Sequence, residues 1–263
     1  MAAGRFADRV GIVTGGAAGI GRATSEAWFA DGGMVAIADM DGDHARALAL
    51  ELDPSGKRAA GWTLDVTDLE SIKAFVPAVV ERFGGIDALF NVAGNNSMKN
   101  VEEAEDDEWR FIIDVNLMSI YRLSKYCIPE MRKRGGGSIV NVASIAGVLA
   151  ENRCSAYSAT KAAVINLSKN MAMDFAKDHI RVNTLCPGGT MTPRIRGYMA
   201  ANPGHEAIMT SLCAMGRMAE PEEMARPMVF LASDDASFIT GAALMVDGGY
   251  TAGKHISLFD DPA

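Results

Sequence analysis

The sequence predicts an α/β fold: a doubly wound, mostly parallel, seven-stranded sheet with helices on both faces, forming a single domain over residues 1–263. Three observations predict it. Seven short apolar runs recur along the chain, each followed by small or polar residues. Segments of helical length and period lie between them, as βαβ units require. The runs are apolar almost throughout instead of alternating, which suits strands buried on both faces, and right-handed crossovers then wind the helices to both sides.

The first run is Val10–Thr14, followed by a helical segment at Ile20–Asp31. Met34–Asp39 is the second, before the helix Gly42–Leu52, and Ala60–Asp65 is a weaker third, before Leu69–Phe83. Asp87–Asn91 precedes the long helical stretch Asp106–Arg134; Ser138–Ala143 precedes Ser155–Lys177. Ile180–Leu185 and Ala243–Val246 complete the set. Residues 188–217 break the alternation. Rich in Gly, Pro, Met and Ala and following a strand, they read as a substrate lid, the alternative being a surface helix pair over the core edge. The tail, residues 251–263, keeps Ile256, Leu258 and Phe259, and is expected to dock on a neighbouring subunit or else fray.

Hydrophobic residues make up 49% and charged residues 22%, a mixture able to bury a large core. The net charge of -8, with no basic stripe, argues against a nucleic-acid partner. Cys127, Cys154, Cys186 and Cys213 form no C-x-x-C pair and read as free thiols of a reducing compartment. His44, His179, His205 and His255 are scattered, so no metal site is expected. Met1–Arg9 lacks an apolar secretory core and no stretch is apolar for long enough to span a bilayer; a cytoplasmic location is the expectation.

The first run leads into Thr14-Gly15-Gly16-Ala17-Ala18-Gly19-Ile20-Gly21 and then a helix. Glycines at 15, 19 and 21 allow a tight turn and a close approach of backbone to a pyrophosphate, which the following helix N-terminus attracts. Asp39 closes the second strand, where an acid bonds the ribose hydroxyls and repels a 2′-phosphate; NAD is the expected cofactor. Alternatively Asp39 caps the next helix, together with Asp41 or Asp43.

Tyr157 and Lys161 stand at i and i+4, on one helix face. A phenol titrates too high to act as a base near neutrality, and a nearby ammonium lowers that value. Ser144 ends a strand upstream, and Asn116 lies in the long helix before that strand.

With these motifs in this order, the chain resembles the short-chain dehydrogenase/reductase family over roughly residues 8–250: the glycine turn Thr14–Gly21, Asp65-Val66, Asn91-Val92-Ala93-Gly94, the tetrad Asn116, Ser144, Tyr157 and Lys161, and Pro187-Gly188 with Thr192. The resemblance implies a Rossmann-type domain catalysing NAD(H)-dependent interconversion of a secondary alcohol and its ketone. Tyr157 would be the acid/base, Lys161 would lower its pKa and hold the nicotinamide ribose, Ser144 would donate to the substrate oxygen, and Asn116 would interrupt its helix to position a water. Gly15, Ala18, Gly19, Ile20 and Gly21 would meet the pyrophosphate, Asp39 the ribose, and Asp65 and Val66 the adenine. Asn91, Ala93 and Gly94 would line the ribose–nicotinamide stretch, with Pro187, Gly188, Thr190 and Thr192 beside the nicotinamide. Thr190 stands where the family has an apolar β-branched residue, and Gly189 leaves extra room.

Substrate contacts are expected from Asn95, Asn96, Ala146, Asn152, Arg153, Gly189 and Arg194. The asparagines suit hydroxyls of a polyol or sugar; Met191, Met199, Met209, Met215 and Met218 suit an adaptable apolar wall or ordinary packing. Arg153, Arg194, Arg196 and His205 either pair with an anionic group on a cyclic or hydroxy-acid substrate or are simply solvated. The family resemblance also implies a homotetramer, with a dimer as the alternative. Two other functions compete: reduction of a 3-oxoacyl thioester on an acidic carrier protein docked at Arg132, Lys133 and Arg134, which Asp39 disfavours, and a non-catalytic nucleotide-binding subunit, which the intact tetrad disfavours.

Overall fold

A computed structural model describes residues 4–253. The strands are β1 (Val10–Thr14), β2 (Met34–Asp39), β3 (Ala59–Thr63), β4 (Ala88–Asn91), β5 (Gly137–Val142), β6 (Ile180–Pro187) and β7 (Ala243–Val246). They form one seven-stranded sheet in the order β3-β2-β1-β4-β5-β6-β7. Every pairing is parallel. The order reverses between β1 and β4, so a crevice opens at their C-terminal ends, where ligands bind in doubly wound sheets.

On one face pack α1 (Gly19–Ala30), α2 (Gly42–Leu52) and α9 (Pro221–Ala232), bringing Trp28, Leu48 and Met228 onto Val13, Ile37 and Phe90. On the other face pack α3 (Leu69–Phe83), α5 (Ser119–Lys133) and α6 (Ser155–Phe175), bringing Phe75, Leu123 and Met171 onto Ile12, Leu89 and Ile139. The fully buried β1 and β4 explain their unbroken apolar reading. Trp28 stacks on Phe6 with centroids 3.9 Å apart and meets Phe90 edge-on at 5.5 Å. Its indole lies over Gly11 and Gly33, where a Cβ would stand 2.8 and 2.2 Å from ring atoms. Each such side chain contributes about 2–3 kcal/mol of burial.

Several boundaries shift by one or two residues from the sequence reading, and two regions need description. The long stretch over residues 106–133 is α4 (Asp106–Ile113) and α5 joined through one π-helical turn, Asp114–Met118, which contains Asn116. Residues 188–217 hold two short helices, α7 (Pro193–Ala201) and α8 (His205–Ser211). The part of the tail that carries Ile256, Leu258 and Phe259 lies outside the described residues. Among the described residues, no helix is long and apolar enough to cross a membrane.

Candidate active site

The glycine turn stands over the crevice. Gly15 and Gly19 have φ of +60° and +52°, left-handed values that glycine adopts without strain. A Cβ on Gly21 would stand 1.9 Å from the Gly15 carbonyl oxygen, so only glycine lets α1 start so close to the turn. No side chain caps α1 and no acid occupies its first turn, which leaves its positive end and free N–H groups open to an anion. Asp39 accepts from Ala17 N–H at 3.1 Å and from Asp41 N–H at 3.1 Å. Asp41, not Asp39, caps α2 by accepting from His44 N–H at 3.0 Å. Asp39 therefore braces the glycine turn from the end of β2 and keeps acceptor lone pairs beside it. The combination of an open helix end and an acid at the next strand tip fits a dinucleotide.

Thr14 Oγ1 accepts from Val92 N–H at 3.1 Å and Ala93 N–H at 3.2 Å, tying β1 to the loop after β4 across the reversal point. Asp65 accepts from the backbone and hydroxyl of Thr67 at 2.8 and 2.7 Å, and Val66 is buried. Asn91 is buried behind the site, where its Nδ2 donates to Asn141 Oδ1 at 2.8 Å. Gly94 approaches both Asn116 and Lys161: a Cβ there would stand 3.3 Å from Asn116 Oδ1 and 3.4 Å from Lys161 Nζ.

The four tetrad positions arrive from three places in the fold. Asn116 sits in the π turn, fully buried; its Nδ2 donates to Asn95 C=O at 2.9 Å and to Thr160 Oγ1 at 3.2 Å. Ser144 follows β5 and starts a short 3₁₀ turn by accepting from Ala146 N–H at 3.1 Å. Tyr157 and Lys161 share a face of α6, with Nζ 5.5 Å from the ring centroid of Tyr157. Lys161 is 4% exposed, and its Nζ donates to Val142 C=O at 2.8 Å.

Burial governs the electrostatics. It pushes the Lys161 ammonium down from 10.5 to about 8. It also raises the Tyr157 phenol, with Ser144 pulling the other way, Glu151 and Cys154 raising it further and Arg194 lowering it. The expected depression of Tyr157 by Lys161 is not among the causes acting on the phenol, where desolvation dominates; Lys161 turns its Nζ to the Val142 carbonyl instead. Of the two, only Lys161 is brought to a mildly alkaline value in this state.

The sequence-predicted substrate residues divide. Asn95 lies at the cleft with its backbone bound to Asn116 and its Oδ1 accepting from Arg194 Nη1 at 2.8 Å. Gly189 lines a cavity of about 90 Å³ beside the Ser144 turn, with Ile145, Met209, Met215, Met218 and Tyr250. Ala146 is buried, Asn96 and Asn152 are exposed, and Arg153 turns to Glu103 at 2.8 Å. Thr190 donates its hydroxyl to Gly188 C=O at 3.0 Å, Gly188 N–H donates to Val246 C=O next to Pro187 at 3.0 Å, and Thr192 caps α7. Tyr250, which reaches the cavity from beyond β7, was not expected at the site from the sequence; Glu151, in the stretch before Tyr157 expected near the reacting carbon, is a half-buried carboxyl raised by desolvation, whose charge is felt at Tyr157. Among the described residues, no cluster of three or more His, Cys, Asp or Glu stands where a metal is held.

Residues 15–251 match the family model described as enoyl-(acyl carrier protein) reductase. The chain is 40% identical to a trans-4-hydroxycyclohexanecarboxylate dehydrogenase of Sinomonas cyclohexanicum over 96% of each chain. It is 38% identical to a 2,5-dichloro-2,5-cyclohexadiene-1,4-diol dehydrogenase of Sphingobium indicum, over 95% of this chain and 99% of the relative. It is also 38% identical to a 7alpha-hydroxysteroid dehydrogenase of Bacteroides fragilis, over 94% of this chain and 96% of the relative.

Proposed function

The chain belongs to the short-chain dehydrogenase/reductase family of oxidoreductases, and from that premise we propose that it oxidises a cyclic secondary alcohol to its ketone with NAD. The observation that supports this reading is the approach of Lys161 Nζ to the Tyr157 ring at 5.5 Å and of both Lys161 and Asn116 to Gly94, in the loop that Thr14 ties to the start of the glycine turn. The nicotinamide, when bound, supplies the hydride acceptor. Ser144 donates a hydrogen bond to the substrate oxygen, and Tyr157 takes the hydroxyl proton as the carbonyl forms. Lys161 and Asn116 hold positions beside the phenol through which charge and proton are balanced. Ring substrates are supported by the names of the relatives, all of which act on cyclic alcohols, and by the methionine-lined cavity beside Ser144.

NAD is supported by Asp39 beside the turn, with no Lys or Arg within Thr14–Gly21 to attract a 2′-phosphate. Nothing favours the carrier-protein alternative, and the three basic residues proposed to dock it each pair within the chain: Arg132 with Asp178 at 2.6 Å, Lys133 with Glu130 at 2.8 Å and Arg134 with Asp87 at 3.0 Å. The chain is further proposed to work in the cytoplasm as a homotetramer or dimer, a reading supported by the exposed Phe238 and Met173. Light scattering tests the assembly, and a monomer counts against it.

The test of the activity is NADH formation across a panel of cyclic and acyclic secondary alcohols at mildly alkaline pH, with Tyr157→Phe alongside. Oxidation of ring alcohols that the variant loses by about 10²–10⁴-fold, with NAD⁺ preferred over NADP⁺ and Asp39→Ser erasing that preference, is the expected result. Turnover that survives in Tyr157→Phe removes the assignment.

A further inference from the structure

Most of the basic side chains that the sequence offers for an anion already have partners within the chain. Arg153 is held by Glu103 at 2.8 Å, Arg196 by Glu220, and Arg217 by both oxygens of Glu223 at 2.7 Å. His205 takes Tyr198 OH at 2.9 Å. Arg194 differs: among the described residues no carboxylate pairs with it, and its one recorded partner is the neutral Asn95 Oδ1 at 2.8 Å.

Its position is fixed from both sides. Arg194 lies in the first turn of α7, after the cap Thr192 and Pro193, so its backbone is preset. Asn95, which receives it, is itself gripped through its backbone N–H and C=O by Asn116 at 2.8 and 2.9 Å. The guanidinium therefore spans the cleft from the lid to the β4 loop. A guanidinium carries five N–H donors, and the bond to Asn95 occupies one. Its charge is felt at Tyr157, as is that of Glu151 with opposite sign. Glu151 also acts on Cys154 and Tyr250, whereas Arg194 reaches Asn95.

We infer that Arg194 is a specificity-determining residue that binds a carboxylate carried by the substrate, with the ring of that substrate directed toward the methionine-lined cavity. This deepens the proposed function and rests on reading the same cleft as the site of alcohol oxidation. A carboxylate matches the fork of free N–H groups, two parallel bonds replacing water on an otherwise unneutralised cation. The apolar wall of Met209, Met215 and Met218 accepts the carbocycle. The predicted substrate class is a cyclic hydroxy acid.

The test is calorimetry on the full-length protein with NAD⁺ present, titrating cyclohexanecarboxylate and its neutral carboxamide, with oxidation of cyclohexanol followed in parallel. The wild type is expected to favour the carboxylate by on the order of tenfold. The preference should fall to within about twofold in Arg194→Gln, be partly restored in Arg194→Lys, and persist in Arg196→Gln, whose side chain is engaged by Glu220. A wild type that does not favour the carboxylate, or a preference that survives Arg194→Gln, overturns the inference. Cyclohexanol oxidation without a carboxylate preference removes Arg194 alone. A carboxylate preference dependent on Arg194, in a protein that oxidises no alcohol, upholds the anion site and removes the proposed activity.

Discussion

Asn116 holds the backbone of Asn95 at both of its polar groups, accepting from its N–H at 2.8 Å and donating to its C=O at 2.9 Å. The amide is fully buried and keeps a third bond to Thr160 Oγ1. It can reach Asn95 because the π turn over Asp114–Met118 sets the side chain off the register of an unbroken α-helix. Asn116→Ala leaves both backbone groups of Asn95 without partners, a loss of about 2–3 kcal/mol. Chemical denaturation should show it, together with impaired turnover because Asn95 and Gly94 shift beside Lys161. A variant as stable as the wild type would show that Asn95 finds other partners.

The glycine turn makes a sharper prediction. Gly21→Ala sets a methyl group 1.9 Å from the backbone oxygen of Gly15, and neither partner is a flexible side chain. The turn must open or α1 must retreat. Cofactor affinity, read by fluorescence titration with NADH, should fall by about a hundredfold or more, while strain on the fold costs about 1–3 kcal/mol. Normal cofactor affinity in this variant would mean that the pyrophosphate does not lie against this turn.

Lys161 gives a pH-dependent stability with a defined sign. Burial lowers its folded pKa to about 8, against 10.5 for the ordinary side chain. Between these values the unfolded chain holds a proton that the folded chain has released, so stability rises with pH across that window and is lost as pH falls toward 8. Relative to Lys161→Met, which does not titrate, the wild type should gain up to about 3 kcal/mol between pH 8 and 10.5. Unfolding free energies of both proteins measured across that range check it. A constant difference between them would show that the ammonium is better solvated than its 4% exposure indicates.

The fold was legible because its signals are local. The apolar runs ending at Thr14, Asp39 and Asn91 correspond to β1, β2 and β4, and Gly15, Gly19 and Gly21 sit where a positive φ or a backbone contact demands them. The third strand was displaced: it ends at Thr63, since Ala60–Asp65 is weakly apolar and Asp65 turns away to bind Thr67. The tetrad was found as residue types in order, but its electrostatics were not. Whether Lys161 lowers Tyr157 depends on burial and on where Nζ points, and neither is written in the i, i+4 spacing. The substrate end was the least legible. Arg153, Arg194 and Arg196 look alike in sequence, and only the positions of Glu103 and Glu220, far away along the chain, tell which arginines are neutralised.

The charges flanking Tyr157 yield a pair of opposed effects. Glu151 is half-buried, its carboxyl raised by desolvation, and its negative charge raises the phenol; Arg194 lowers it. Phenolate is favoured when a negative neighbour is removed and disfavoured when a positive one is. The pH profile of kcat/KM for alcohol oxidation should therefore move to lower pH in Glu151→Gln and to higher pH in Arg194→Gln, with the double variant between them. A neutral alcohol such as cyclohexanol is the substrate of choice, so that charge on the substrate does not enter the comparison. Shifts in the same direction in both single variants would reflect a common structural disturbance instead of charge at Tyr157. An unmoved profile in both would assign the titrating limb to another group, and Lys161, already near pH 8, is the first to examine through Lys161→Arg.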